Sequence, residues 1–222
     1  MIVLQPSDRT KLDETDDRQF YDYPRFVTHV DDGFIQQLMD LYRERLQPQT
    51  RILDLMSSWV SHLPEDLEFA HVEGHGLNDE ELAKNPRLDH FIVQNLNQSP
   101  QLPFEADSFD AVLNTVSVQY LQYPEGVFSE IHRILKPGGV AIVSFSNRMF
   151  YQKAIQAWRD GSERDRILLV KRYFQSVPGF SSPEVIVRPS QTPSFLQMMG
   201  FGGGDPFYAV IAAKMPVAAA QS

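Results

Sequence analysis

The 222-residue sequence contains no cysteine. Disulfide bonds, thiolate nucleophiles and cysteine-based zinc sites are therefore excluded. Basic residues are also scarce: 20 Lys and Arg stand against 29 Asp and Glu, so the net charge is −9. Proteins that bind nucleic acids draw much of their affinity from clustered Lys and Arg that neutralise phosphates. We therefore expect no general nucleic-acid binding.

Long apolar runs are missing as well. No run approaches the roughly 18 residues that a membrane-spanning helix needs. The N-terminal stretch MIVLQPSDRTKLDETDDRQF turns acidic after a short apolar start, unlike a secretory signal. These features predict a cytoplasmic protein with no membrane partner. His71 and His75 have the i, i+4 spacing of a zinc-binding helix, but they lie on a predicted strand and loop and would not share a helical face, so no metal site is expected.

Short apolar segments recur along the chain, separated by turn or helix signals. They cover 51–55, 68–74, 90–95, 109–116, 140–146, 183–189 and 206–214. Helical patterns occupy 33–46, 78–85, 124–135 and 148–175, and a short one lies in 194–204. Strands that alternate with helices predict a largely parallel sheet. Two late strands separated by a short segment predict an antiparallel addition at its edge.

The same patterns suggest how the chain is divided. We expect an N-terminal arm or lid over 1–32, a single domain over 33–215, and a disordered tail over 216–222. The glycine-rich stretch GFGGGDP, 200–206, lacks the Lys-Ser/Thr of a phosphate-binding loop and is expected to be a turn.

The middle of the chain carries an ordered set of motifs: Leu102-Pro103-Phe104, then Ser108-Phe109-Asp110, then a helix that leads into Arg133-Ile134-Leu135-Lys136-Pro137-Gly138-Gly139. This series resembles class I S-adenosylmethionine-dependent methyltransferases of the methyltransferase-11-like group, over about residues 50–147. The resemblance implies a Rossmann-like, doubly wound α/β fold with a mixed seven-stranded sheet in the order 3-2-1-4-5-7-6 and helices on both faces. It also implies S-adenosylmethionine-dependent methyl transfer to a small-molecule acceptor.

One departure from that family lies directly after the first strand. There the family has a D-x-G-x-G-x-G loop around the methionine part of the cofactor. Asp54 keeps the acid, but the glycine positions hold Met56, Ser58 and Val60. In one interpretation, Ser57 and Ser58 replace the lost backbone contacts to the cofactor. In the other, one of these serines caps a short helix while Trp59 packs into the core.

A second departure follows the second strand. The family places an acid there that binds both ribose hydroxyls, and the alignment puts Gly76 at that position, followed by Leu77. Asn78 either reaches the ribose or caps the next helix. His75 either stacks on the adenine or lies on the surface.

Two further segments match cofactor and substrate positions. Asn95 stands where the family commonly has an Asp for the adenine amino group, and Leu96 would supply a backbone contact and an apolar wall. The alternative for Asn95 is a residue in a strand-to-loop turn. After the fourth strand, four polar residues are expected between cofactor and substrate, or half of them facing solvent: Asn114, Ser117, Gln119 and Tyr120.

The N-terminal arm concentrates aromatic and basic side chains. Family members often fold such a segment over the active site, so Tyr21 and Arg25 are candidate lid residues, and Arg25 is a candidate clamp for a carboxylate. His29 is a candidate general base, since an unperturbed imidazole has a pKa near 6.5, and Tyr120 is the second catalytic candidate. The alternative is an arm that only packs on a sheet edge.

The sequence also bears on two other functions. A non-catalytic module that keeps the fold without the usual cofactor binding is favoured by the missing glycines and by Gly76. A nicotinamide-dependent oxidoreductase is disfavoured, because no G-x-G-x-x-G follows the first strand.

Overall fold

The computed structural model describes residues 2–188 and 204–216. Over these residues seven strands form one sheet in the order β3-β2-β1-β4-β5-β7-β6. The first five are mutually parallel, and β7 runs antiparallel to both of its neighbours. The strands are β1 Arg51–Leu55, β2 His71–Gly76, β3 His90–Val93, β4 Phe109–Thr115, β5 Leu135–Phe145, β6 Glu184–Arg188 and β7 Phe207–Ala213. The predicted fold class and strand order are confirmed.

The α-helices of the described residues are α1 Asp17–Phe20, α2 Asp32–Arg45, α3 Asp79–Lys84, α4 Pro124–Ile134, α5 Gln156–Arg159 and α6 Glu163–Gln175. Single 3₁₀ turns span Ser7–Arg9 and Val118–Tyr120. Local signals explain where the longer helices begin. The Asp31 side chain accepts the Phe34 N–H at the start of α2, and α6 begins with a capping box between Ser162 and Asp165.

Apolar residues on the two faces of the sheet form two separate cores. On one face α2 buries Phe34, Leu38 and Leu41 against β1 and β7. On the other face α4 and α6 bury an aromatic group that includes Phe128 and Phe174. Helices therefore cover both faces, as the family resemblance implies. The central strands β1, β4 and β7 are buried on both sides, which is why they read as nearly continuous apolar runs.

The structure corrects one expectation about the helices and leaves others untested. The predicted helix over 148–175 is wrong in its first part, because only α5 and α6 form there and 148–155 follows an irregular path. The predicted short helix in 194–204 and most of the predicted tail lie outside the described residues. The division into arm, domain and tail stays a prediction. No helix in the described ranges is long and apolar enough to cross a membrane.

Candidate functional site

A cavity of about 360 Å³ opens at the carboxyl ends of the parallel strands. Its wall is built from the residues that follow β1, β2, β3, β4 and β5, and from the N-terminal arm between Asp17 and Val30. Ligands of open α/β sheets bind at this edge, where the strand order reverses. All but two of the predicted site residues line this one cavity.

The loop after β1 lies against the end of β2. The Ser57 N–H donates to the His75 carbonyl at 2.7 Å, and the Ser57 hydroxyl donates to Asp54 Oδ2 at 2.6 Å. Met56 has a φ of 59°, the left-handed conformation that glycine adopts most easily. The loop thus uses a glycine-like conformation at the first position where the family has glycine.

The expectation that Ser57 or Ser58 caps a short helix is wrong. No helix forms between β1 and β2, because Ser57 is engaged by Asp54 and by β2. The core position proposed for Trp59 is also wrong. Its indole N–H donates to the Val27 carbonyl, and its ring contacts Phe26 edge-on, so it joins the loop to the arm at the rim of the cavity. Ser58 lies in the cavity wall beside Ser57.

The loop after β1 leaves no room for a side chain at position 76. A Cβ added to Gly76 would lie 2.7 Å from the Ser57 carbonyl oxygen and 3.2 Å from the Leu82 side chain. Real Cβ atoms do not approach a backbone oxygen so closely, so no acid fits at this position while the loop keeps its course. The two departures from the family pattern are therefore one structural change: the loop occupies the space beside the strand end where the acid would stand.

His75 and Asp54 place two buried titratable groups beside the loop. His75 is 1% exposed, so the surface alternative for it is wrong. Its Nδ1 accepts the Met56 N–H at 3.3 Å, which leaves the proton on Nε2, and burial lowers the pKa of His75 to about 4. Burial raises the pKa of Asp54 to about 6, opposed by the hydrogen bond from Ser57.

The arm lies over the cavity rather than along a sheet edge. Asn78 Nδ2 donates to the Tyr21 carbonyl at 2.7 Å, and the Arg25 N–H donates to Glu81 Oε1 at 2.7 Å. The Arg25 guanidinium stacks over the Phe20 ring at 4.4 Å. Tyr21, Arg25 and His29 all line the cavity, as expected of a lid.

Asn78 and Asn95 are both engaged within the chain. Asn78 Oδ1 accepts the Glu81 N–H at 2.9 Å, so the helix-cap alternative for Asn78 is confirmed. Asn95 Oδ1 accepts the Asn97 N–H, and its Nδ2 donates to Asp16 of the arm. This is the turn alternative for Asn95. Both residues still line the cavity, with Leu77 and Leu96 beside them.

The four polar residues predicted around the end of β4 are all buried, so the alternative that half of them face solvent is wrong. Ser117 and Tyr120 line the cavity, and the Tyr120 hydroxyl accepts the Phe150 N–H at 2.9 Å. Asn114 and Gln119 do not line it. Asn114 donates to the Leu55 carbonyl and Gln119 to the Val116 carbonyl, so both support the backbone behind the site.

Sequence reasoning missed several residues of the cavity wall. Arg148, Met149 and Phe150 directly follow β5, and the rule that ligands bind beyond the carboxyl ends of strands would have found them. From the sequence, Glu81 reads as an acid in the first turn of a helix, where such residues are common. Lys153 gave no signal at all, because its place at the cavity depends on the irregular path of 148–155.

The cavity has unpaired groups that a ligand would satisfy. Arg25 Nη1, His75 Nε2 and Ser117 Oγ are buried and have no hydrogen-bond partner among the described residues. Native proteins rarely leave buried polar atoms unpaired. The guanidinium and the imidazole N–H suit a carboxylate and other acceptors, and the cavity volume falls within the range of about 300–1,000 Å³ typical of ligand pockets. The site therefore fits S-adenosylmethionine at its amino-acid end and differs from the family beside the ribose.

Comparisons with known proteins agree with this geometry. Residues 60–143 match the family model described as a methyltransferase domain. A sterol 24-C-methyltransferase of Candida albicans is 32% identical over 107 residues, which is 45% of this chain and 28% of that protein. The chain thus spans less than a third of the length of this relative.

Solved structures share the fold. The crystal structure of the [4+2]-cyclase SpnF superposes with a TM-score of 0.59 at 18% identity, covering 90% of this chain and 91% of that one. Phosphoethanolamine N-methyltransferase 2 of Haemonchus contortus, in complex with S-adenosyl-L-methionine, gives a TM-score of 0.55 at 18% identity, covering 83% of this chain and 53% of that one. The matched domain and the shared sheet make this chain similar to S-adenosylmethionine-dependent methyltransferases and support the predicted cofactor.

Proposed function

We propose that this chain binds S-adenosylmethionine in the cavity and directs its methyl group to a small organic acceptor. The observation that carries the proposal is the cavity itself, because it gathers the ends of five parallel strands and holds unpaired buried polar groups. The matched methyltransferase-domain segment supplies three of those strand ends.

Arg25 is the residue we assign to the cofactor carboxylate. Its guanidinium is held in place by the Phe20 ring, and Nη1 is left without a partner among the described residues. A planar guanidinium pairs well with a carboxylate. We assign Ser57 and Ser58 to the same end of the ligand, and Leu77, Asn95 and Leu96 to the wall beside the adenine.

The methyl group of a sulfonium is already electrophilic, so the protein has mainly to position the acceptor and to take a proton from it. His29 suits the second task. Its ring meets Phe150 edge-on at 5.1 Å, and desolvation together with the nearby Arg25 lowers its pKa. The imidazole is therefore neutral at pH 7 and able to accept a proton.

Tyr120 suits a different task. Burial raises its pKa to about 12, so its hydroxyl stays protonated at neutral pH. Its oxygen already accepts the Phe150 N–H, which leaves the O–H as a donor to an acceptor molecule. We assign Tyr120 and Ser117 to orienting the acceptor.

The acceptor pocket also has an apolar side. Val27, Val30 and Met149 line the cavity, and Trp59 donates a hydrogen bond to the Val27 carbonyl beside it. The similarity to a sterol methyltransferase supports an acceptor with an apolar part. We propose such a molecule as the acceptor class.

Calorimetric titration of the full chain with S-adenosylmethionine and S-adenosylhomocysteine tests the function. Binding of both is expected, and the Arg25→Ala variant should bind them tenfold to a hundredfold more weakly, the usual effect of losing about 1.5–3 kcal/mol from a charged hydrogen bond. Arg18→Ala, an exposed change in the same arm, is the matched control. No heat and no thermal shift at millimolar ligand would overturn the proposal in favour of the non-catalytic module.

A further inference from the structure

Three carboxylates line the cavity, and they differ in the hydrogen bonds that they already accept. Asp17 accepts hydrogen bonds from Lys11 and from Asn97. The Lys11 Nζ lies 2.7 and 3.0 Å from the two carboxylate oxygens. Asp54 lies at the end of β1 and holds the Ser57 hydroxyl. Glu81 accepts the Arg25 N–H at Oε1, and its Oε2 receives no hydrogen bond from the described residues.

Among the described residues that follow β2 and line the cavity, Glu81 is the one whose side chain keeps an open acceptor oxygen. The Oδ1 atoms of Asn78 and Asn95 are both used by backbone N–H groups of their own loops. Gly76 offers no side chain, and the Ser57 carbonyl closes the space where one would stand. Glu81 is 6% exposed and lies in the first turn of α3, five positions beyond Gly76, so its carboxylate reaches the same side of the cavity.

We propose that Glu81 is the acceptor for a vicinal diol of the bound ligand, namely the ribose hydroxyls, in place of an acid at position 76. The assignment rests on the proposed function. A carboxylate is the side chain that accepts two adjacent hydroxyls, because it carries two oxygens and no donor. Oε2 and the remaining lone pairs of Oε1 provide those two places.

The same residue joins the arm to the ligand. The Arg25 N–H donates to Glu81, and the Arg25 guanidinium lines the cavity. A ligand that bonds to both Arg25 and Glu81 is held at its carboxylate by the arm and at its ribose by α3.

The test compares S-adenosylhomocysteine with its 2′-deoxy analogue by calorimetry, on the wild-type chain and on Glu81→Gln. Wild type is expected to bind the ribose form at least tenfold more tightly. Glu81→Gln is expected to lose that preference, while its affinity for the deoxy form stays within twofold of wild type. Glu80→Gln, an exposed neighbour on the same helix, is the matched control and should keep the preference.

The outcomes separate this inference from the proposed function. No binding to wild type overturns the proposed function itself. Binding with the ribose preference intact in Glu81→Gln overturns the assignment of Glu81 alone. If Glu81→Gln does not fold, as judged by its thermal midpoint, Glu81→Asp replaces it: a carboxylate withdrawn by one methylene should weaken the ribose preference, and an unchanged preference overturns the assignment.

Discussion

One half of the sheet edge keeps the family's sequence motifs, and the other half departs from them. In the β4–β5 half, residues 102–146, the motifs LPF, SFD and KPGG are all present, and the structure shows them holding the fold together. Arg133 donates to the carbonyls of Leu102 and Phe104, and Lys136 binds Asp110. In the β1–β2 half, residues 54–81, the glycines and the ribose acid are absent, and these are positions that would touch the ligand.

The glycines of the two halves show the same contrast. Gly139 is required by the fold, because an added Cβ would lie 2.9 and 3.0 Å from two backbone carbonyl oxygens. Gly76 is required by the course of one loop, that of Ser57. The half that keeps the family's motifs therefore supports the fold. The half that would contact the ligand departs from the family's sequence pattern. This difference teaches that the motifs predict the fold more directly than they predict the mode of binding.

The largest expected effect comes from restoring the family's acid at position 76. Gly76→Asp places a charged side chain against the Ser57 carbonyl, so we expect the free energy of unfolding to fall by about 3–5 kcal/mol, the usual cost of an uncompensated buried charge with overpacking. Urea denaturation measures this loss. Gly126→Ala is the control, because its Cβ meets only the Pro100 side chain at 3.3 Å and alanine favours the helix. A stable Gly76→Asp protein would show that the loop moves freely.

A smaller effect is expected at Asp54. Because burial raises its pKa from 3.8 to about 6, the folded state holds the proton more tightly than the unfolded state. That stabilisation is complete below about pH 4 and is lost as the pH rises to about 6. At pH 7 the charged form therefore destabilises the fold, and Asp54→Asn should raise the free energy of unfolding by on the order of 2 kcal/mol.

Urea denaturation of wild type and Asp54→Asn between pH 4 and pH 7 checks this sign. The difference between the two proteins is the informative quantity, since buried His75 acts in the opposite direction. Its pKa is lowered to about 4, so its contribution to stability increases as the pH rises from about 4 towards 6.5. A difference that does not change with pH would contradict the prediction.

The smallest effect belongs to the half that supports the fold. Arg133→Ala removes two hydrogen bonds to backbone carbonyls and a partly exposed ion pair with Glu130, so we expect a loss of about 1–2 kcal/mol in the free energy of unfolding. Affinity for S-adenosylhomocysteine should not change. Lys136→Met, which breaks only a partly exposed ion pair, should cost less than about 1 kcal/mol. Weaker ligand binding by Arg133→Ala would contradict the conclusion that this half of the sheet edge supports the fold and does not contact the ligand.

Much of the candidate site was predictable because the topology is so regular. Parallel strands bring their carboxyl ends to one edge, so residues after each strand meet there whatever their identity. Asp54, Asn95 and Ser117, which match family positions at these strand ends, line the cavity. Asn114 and Gln119 were not excluded, because spacing along a segment does not reveal which side chains turn inward to bond the backbone.

By itself, the sequence determined the order of the elements, since apolar periodicity and turn residues are local properties, and the resemblance of its motifs to a known family implied the order of the strands in the sheet. It also determined that the loop after β1 lacks glycine and that β2 ends in one. Only the tertiary structure decided that these two facts belong together. Whether a side chain fits at position 76 depends on the path of the Ser57 carbonyl, 19 residues away in sequence and 2.7 Å from the missing Cβ. Such contacts are set by packing between distant segments, which no local pattern records.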